Sequence, residues 1–336
     1  MTVSIYDIAK KARVAPSTVS RALQDHPRIG AKTKQRIREL AKEMDYVPST
    51  VARSLIANRT WTIGMVLPEI SDPFMGRVVE GVEQVAVEAG FNVFLSTSQN
   101  DRQREIAVVD VLQQRRVDGI IAIASHLFNR LVEYNDRTNV PIVIINEQIP
   151  GDNLHYVMVD DLCGVQTAIK HLLELGHRRI GYVGIGNRAK SNLARLNAYE
   201  NALVSARIAF DPALVCDSAA EEHAAQGEAS LDALLAAGAT AAFCYNDSAA
   251  MGVLSACYQR GIAVPHDFSV IGFDDIDLAA YAVPPLTTIR QPRFALGQTA
   301  MQMMLDLLAG LQTLNQVLPG ELVIRQTTAR PITSTS

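Results

Sequence analysis

Apolar residues recur along this chain with two different periods, and the change falls near residue 60. Through residues 4 to 45 the spacing is helical, in three short segments. Ser4 stands before the first with Asp7 three positions on, the reciprocal pair of a capping box, and Ile8, Ala9 and Ala12 form its inner stripe. Pro16, well suited to a first helical turn, opens the second, with Val19, Ala22 and Leu23 inward. The third is predicted from about Ala31 to Met44, with Ile37, Leu40, Ala41 and Met44 inward and Pro48 ending it. Only Arg13 to Ala15 separate the first two helices, so they must cross steeply, in the helix-turn-helix manner, exposing Ser17, Thr18, Ser20 and Arg21 on the second. Beyond Pro48, STVARSLIAN keeps helical spacing over no more than about ten residues, a length marginal in water, so it should order only against a partner.

From Trp61 the pattern alternates between strand-like runs and amphipathic helical windows. TIGMVL, NVFLST, DGIIAIA, VPIVIIN, RRIGYVG, ATAAFCY and FSVIGF read as strands. Such alternation builds open, mostly parallel sheets with helices on both faces. A break near Asp160 divides the runs into two series. The expected fold is therefore α/β: two doubly wound Rossmann-like lobes behind an N-terminal all-α helix-turn-helix domain. The expected boundaries are 1–47 for the helical head, 48–60 for a hinge helix and linker, and 61–330 for the core. Lobe one takes about 61–160 plus 291–320, and lobe two about 161–290 plus 321–330. Ligands of such sheets sit at the carboxyl ends of strands. Asp72, Phe74, Ser125, His126, Asn146, Glu147, Asn246, Asp247 and Asp274 follow strands and cluster there.

Composition, 48% hydrophobic and 20% charged over 336 residues, is that of an ordinary globular protein and excludes disorder. No window nears the roughly 18 apolar residues of a membrane span, and charges occupy the positions where a signal peptide has its apolar core. The chain is expected to be soluble and cytoplasmic, with no membrane partner. Cys163, Cys216, Cys244 and Cys257 lie in apolar surroundings without a CxxC pair, so neither a disulfide nor a metal site is expected, and no cofactor. The net charge of -4 hides an asymmetry: residues 1 to 60 hold 12 Lys/Arg against 5 Asp/Glu, the remainder 19 against 30. A basic head on an acidic body points to nucleic acid, because clustered cations are rewarded by phosphates.

IYDIAKKARVAPSTVSRAL followed by KTKQRIRELAKEMDYVPSTVARSL resembles the N-terminal region of the LacI/GalR family of repressors. The likeness implies base contacts from Pro16, Ser17 and Arg21 and phosphate contacts from Tyr6, Thr18, Ser20 and Thr33. Arg21 is the candidate for a bidentate contact to guanine. Leu55 matches the family's wedge leucine, which enters the minor groove and kinks the duplex. Two departures stand out: Arg13 replaces the usual turn glycine, and Ala15 the serine that usually caps the recognition helix. The body, through ISDPFMGRVVEGVE, ELGHRRIGYVG, CYNDSAAMG, VIGFDDIDLA and PPLTTIRQP, is similar to the family's core and to sugar-binding periplasmic proteins. That likeness implies effector contacts from Asp72, Phe74, Arg195, Asn246, Asp274 and Gln291, with Ser125 and Glu147 added by their strand-end positions. Asp accepts from vicinal hydroxyls, Arg donates a fork and an aromatic face covers a sugar ring, so the set fits a polyhydroxylated molecule.

The one enzyme-like signal is VGIGNRA, whose Gly184, Gly186 and Ala189 imitate a dinucleotide-binding turn. The acid that should end the next strand is missing, since Glu200 falls in a helical window and Asp211 in a loop. His171 and His177 flank one helix end without forming a metal pair. The expected function is thus not catalytic: a DNA-binding transcription regulator, acting as a homodimer, that represses a carbohydrate-use operon and is released from a palindromic operator by a sugar-like effector. Glu147 after Asn146, together with DLAAYAVPPLTTI, is also similar to the cytidine-responsive branch of the family, so a nucleoside-responsive repressor stays open. A nicotinamide-dependent dehydrogenase is the distant alternative. The C-terminus carries no leucine heptads, so a coiled-coil tetramer is not expected.

Overall fold

The computed structural model describes residues 3–23, 25–46, 59–123, 138, 140–148, 155–186, 190–217 and 222–332. Leu55 and the predicted hinge helix, Ser125, His126 and Ala189 lie outside the described residues. The chain divides into two compact units, Met1–Thr60 and Trp61–Ser336.

In the first unit α1 (Ile5–Ala12), α2 (Pro16–Leu23) and α3 (Ala31–Glu43) enclose a small core of Ile8, Ala9, Ala12, Val19, Ala22, Ile37 and Ala41. Leu23, Leu40 and Met44, expected inward, pack against its rim half-buried. The capping box forms: the Asp7 amide donates to Ser4 Oγ at 3.4 Å and the Ser4 amide to the Asp7 carboxylate at 2.9 Å. Arg13 ends α1 in the left-handed region, φ 54 and ψ 46, as a turn glycine would. Ala15 offers α2 no side-chain acceptor; its carbonyl instead accepts from the Thr18 amide at 2.8 Å. The expectation that Pro48 stops α3 is corrected. The helix ends at Glu43, because Asp45 turns left-handed (φ 48) and the Tyr46 amide closes back on the Ala41 carbonyl at 2.9 Å.

The second unit holds two six-stranded sheets. The first contains β1 (Thr62–Leu67), β2 (Asn92–Thr97), β3 (Gly119–Ile123), β4 (Ile142–Ile145), β5 (His155–Val159) and β11 (Gln316–Leu318), in the order β11-β5-β4-β3-β1-β2, all parallel. Successive side chains of β1 alternate between the faces: Ile63, Met65 and Leu67 pack on α4 (Pro73–Glu88) and α10 (Arg293–Leu308), whereas Val66 meets Val109 and Leu112 of α5 (Arg102–Gln114). Burial on both faces explains why β1, β3 and β4 read as continuous apolar runs, whereas β2, at the edge, is only partly covered.

The second sheet contains β6 (Ile180–Val183), β7 (Val215–Cys216), β8 (Ala241–Cys244), β9 (Ser269–Asp274), β10 (Thr287–Arg290) and β12 (Glu321–Val323), in the order β12-β10-β9-β8-β6-β7. Only β12 runs antiparallel to its neighbour. One face is covered by α6 (Asp161–Leu175) and α7 (Lys190–Ser205), the other by α8 (His223–Ala236) and α9 (Asp247–Gln259). The α8–α9 pair packs backbone to backbone: a Cβ on Gly227 would collide with the Ala249 carbonyl, and one on Gly252 with the Ala224 carbonyl. The chain crosses between the sheets after β5, after β10 and between β11 and β12, and the Asp160 amide ties the first crossing to the third through the Leu318 carbonyl at 3.0 Å. β5, β7, β10, β11 and β12 were not foreseen as strands. β7, β11 and β12 are only two or three residues long, and Thr287 and Thr288 give β10 a polar face. Cys244 and Cys257 are buried among apolar side chains, but Cys163 is exposed at the start of α6, which corrects its expected apolar setting.

Candidate functional site

Each unit carries its own cluster of candidate residues. On the first, Ser17 and Arg21 lie exposed on one face of α2, and the Arg21 guanidinium makes no hydrogen bond among the described residues. Pro16, Thr18 and Ser20 are half-buried beside them, Tyr6 on α1 is 73% exposed, and Thr33 is half-buried in the first turn of α3. Surface ion pairs, Lys11–Glu43 at 2.8 Å and Arg38–Asp25 at 2.9 Å, hold α3 without occupying that face.

In the second unit the candidate residues come from the carboxyl ends of strands in both lobes. Asp72 follows β1 and caps α4, accepting from the Phe74 amide at 2.9 Å. Burial raises its carboxyl above the usual value against the pull of that amide, and His223 and Arg195 of the second lobe favour its charged form. Arg195, on α7, is 4% exposed. Its Nε donates to Asp161 at 3.0 Å and its Nη1 to the Tyr245 carbonyl at 2.6 Å, while the guanidinium lies 3.8 Å from the Phe273 ring centroid. Burial works against this charge, but Asp161, Tyr245 and Asp274 outweigh it and keep the group protonated.

Asp274 ends β9 with φ 119, a conformation that favours glycine. Burial pushes its carboxyl well up, opposed by Arg195 and reinforced by the nearby charges of Asp247 and Asp72. Gln291, on the second crossing, donates its side-chain amide to Asp274, and its Oε1 is buried without a partner. Asn246 caps α9 through the Ala249 amide at 2.9 Å and bonds His223 Nδ1 at 2.8 Å. Glu147, buried after β4, pairs with Lys190 at the start of α7, an ion pair that joins the two lobes.

Asp274 is therefore hydrogen-bonded to Gln291 and feels the charges of Arg195 and Asp72, while Asn246 is bonded to His223, whose charge bears on Asp72. Two expected positions behave differently. The Phe74 ring is 5% exposed within the lobe-one core, and the rings facing Arg195 are Phe273 and Tyr245. Asn146 turns the chain (φ 59) and accepts from the Val159 amide at 3.3 Å. Sequence reasoning missed Asp161, Lys190, His223 and Tyr245. His223 opens the helix after β7, a position that the two-residue length of that strand conceals.

The glycine turn after β6 is filled by protein: the Ile185 amide donates to the Asn192 side chain at 3.4 Å, and a Cβ on Gly184 would press on Asn192 and Asp217. Glu200 lies in α7 and Asp211 pairs with Arg179 at 2.8 Å, so neither is placed for a ribose. Both rings of the histidine pair are spent on hydrogen bonds, His171 on Thr328 and His177 on Thr240 and the Ala329 carbonyl. Among the described residues no helix is long and apolar enough to cross a membrane.

Comparison with known proteins agrees with both units. Residues 4–49 match the bacterial regulatory proteins of the lacI family, and residues 169–328 the periplasmic binding protein-like domain. The HTH-type transcriptional repressor CytR of Escherichia coli strain K12 is 34% identical over 327 residues, 96% of this chain and 95% of that protein. The HTH-type transcriptional regulator DegA of Bacillus subtilis strain 168 is 35% identical over 335 residues, 98% of this chain and 99% of its own. The lac repressor dimer bound to operator and the anti-inducer ONPF is similar with a TM-score of 0.88 at 26% identity, over 98% of this chain and 100% of that one. With a helix-turn-helix head, a two-lobed core and relatives matched along nearly the whole length, this chain belongs to the LacI family of DNA-binding transcriptional regulators.

Proposed function

We propose that this regulator acts as a homodimer that represses a carbohydrate-use operon and leaves its palindromic operator when a sugar-like effector fills the cleft. The observation that carries this reading is the reach of Asp72 on lobe one to Arg195 and Asp274 on lobe two. A ligand bonded to all three favours one cleft geometry over others. An effector and an operator that prefer different geometries must then weaken each other reciprocally. On the head, Pro16, Ser17 and Arg21 meet base edges while Tyr6, Thr18, Ser20 and Thr33 hold phosphates. The exposure of Arg21 and the lack of a side-chain partner for it among the described residues support that role. A nucleoside effector is the second reading, supported by the likeness to CytR and by a ribose offering the same hydroxyl donors. The test is to select operators from random palindromic DNA with the purified full chain, then to add sugars and nucleosides to the complex. Release by a member of either class upholds the reading. Failure to select any DNA overturns it, and release by neither class removes the effector half.

A further inference from the structure

The turn between α1 and α2 holds a cation where the backbone favours glycine. Arg13 ends α1 at φ 54 and ψ 46, and its amide closes the helix on the Ala9 and Lys10 carbonyls. The three-residue connection imposes this left-handed geometry on whatever residue stands there, and a Cβ adds a cost that glycine avoids. Nothing within the head offsets that cost. The Arg13 side chain is exposed and makes no hydrogen bond or ion pair among the described residues.

The surrounding charges leave this cation unneutralised. Between Asp7 and Asp25 the chain carries Lys10, Lys11, Arg13 and Arg21 and no carboxylate. The acids on either side are engaged elsewhere: Asp7 caps α1, Asp25 holds Lys34 and Arg38, and Glu43 pairs with Lys11. Lys10 stands close enough to Asp7 to favour its charged form, whereas Arg13 and Arg21 face no such partner.

Placement adds to charge. In a helix-turn-helix the first helix crosses the DNA backbone and the second enters the major groove. Arg13 occupies the joint between them, before the first turn of α2, and Arg21 stands in the last turn. The eight residues of α2 span about 12 Å, close to the width of the major groove. With the face of Ser17 and Arg21 on the bases, Arg13 is delivered to the rim of the groove, where the phosphates are.

We propose that Arg13 is a DNA phosphate contact, supplied at the turn by this chain's own sequence, that adds affinity without sequence preference. A phosphate oxygen accepts from the guanidinium N–H groups, and the contact displaces counterions condensed on the duplex. The role is separate from base reading by Arg21 and independent of any effector.

Binding of the full chain to a short labelled duplex of random sequence, followed from about 50 to 200 mM salt, tests it. Arg13→Gly is expected to bind more weakly, with a log–log salt slope shallower by about 0.9 for each head bound, so that its deficit shrinks about 3.5-fold per head over that range. The same variant should show slower amide exchange in α1 and α2, because glycine adopts that φ freely, so a loosened turn would not account for the loss. Arg13→Lys should keep the wild-type slope, and Arg13→Gln, which retains the backbone cost but not the charge, should show the shallower one. A glycine variant with wild-type affinity and slope overturns the proposal, as does a slope that falls equally in the lysine and glutamine variants. If the glycine variant exchanges faster, the lysine and glutamine variants decide alone: a difference in slope between them upholds the contact and equal slopes overturn it. Wild-type binding that is indifferent to salt overturns it as well, together with the reading of the head as a DNA-binding unit.

Discussion

The side chain of Gln291 donates to the Asp274 carboxylate at 2.5 Å, and its backbone amide donates to the Asp274 carbonyl at 3.3 Å. Asp274 ends the central strand β9 of lobe two, and Gln291 lies on the crossing that carries the chain back to lobe one. A bond from ligand to that carboxylate therefore bears directly on a connection between the lobes. The backbone supports the same view, since φ 119 at a non-glycine residue costs of order 1–3 kcal/mol and persists only where its surroundings hold it.

Asp274→Ala is expected to abolish the effector response while operator affinity stays near wild type. It removes an acceptor whose loss leaves ligand donors unpaired, worth about 1–3 kcal/mol. Operator titrations with and without effector check this. Release of DNA at the wild-type effector concentration would take Asp274 out of the site, and loss of DNA binding would make it structural. Asp274→Gly should lose the response equally yet melt higher than the alanine variant, because glycine adopts that φ freely.

Asp247 provides a pH signature of the core. It is fully buried between the Ile276 amide and the Thr288 hydroxyl, and burial raises its carboxyl to about 7, against those hydrogen bonds. Between its unfolded value of 3.8 and about 7 the folded state holds a proton that the unfolded state has lost. This group therefore lowers stability as pH rises through that window, by at most ~1.4 kcal/mol per pH unit. Melting of the full chain from pH 4 to 7, compared with Asp247→Asn, reads the effect. The variant's profile should be flatter on the side of rising pH, and parallel profiles would remove Asp247 as the cause.

Arg13→Gly should stabilise the helical head by about 1 kcal/mol, the cost of left-handed backbone at a residue with a Cβ. Slower amide exchange in α1 and α2 of the full chain would show it. Faster exchange would mean that the Arg13 side chain contributes more than its backbone costs.

Arg21→Ala should cost about 1–3 kcal/mol on operator and much less on scrambled DNA if the guanidinium reads a base in two-point fashion. Binding to both DNAs at fixed salt decides. An equal loss on both would make Arg21 a phosphate contact.

Much of the architecture was legible because it rests on local rules. The capping box at Ser4 and Asp7, the three-residue turn and the helical stripe around Ile8 and Val19 depend on neighbours a few positions apart. The inner strands, such as β1, β3, β4 and β9, show as apolar runs because both their faces are buried, which composition alone records. The end of α3 was legible to within a residue, Met44 against Glu43, although a left-handed turn at Asp45 and not the proline brings it about.

In the cleft, the sequence by itself determined which side chains stand at strand ends, among them Asp72, Asn246 and Asp274. Only the tertiary structure decided what those side chains are free to do. Asp161 and Arg195 are on neighbouring helices yet far apart along the chain, and their ion pair holds the guanidinium at its Nε edge. His223 reaches Asn246 because a two-residue strand, too short to show a period, delivers it there. Phe74 is drawn into the lobe-one core by the packing of α4 on α10, which no local pattern encodes. Electrostatics and packing act through space, and the distances that set them are fixed by two sheets whose strands are joined in a different order from the one in which the chain lists them.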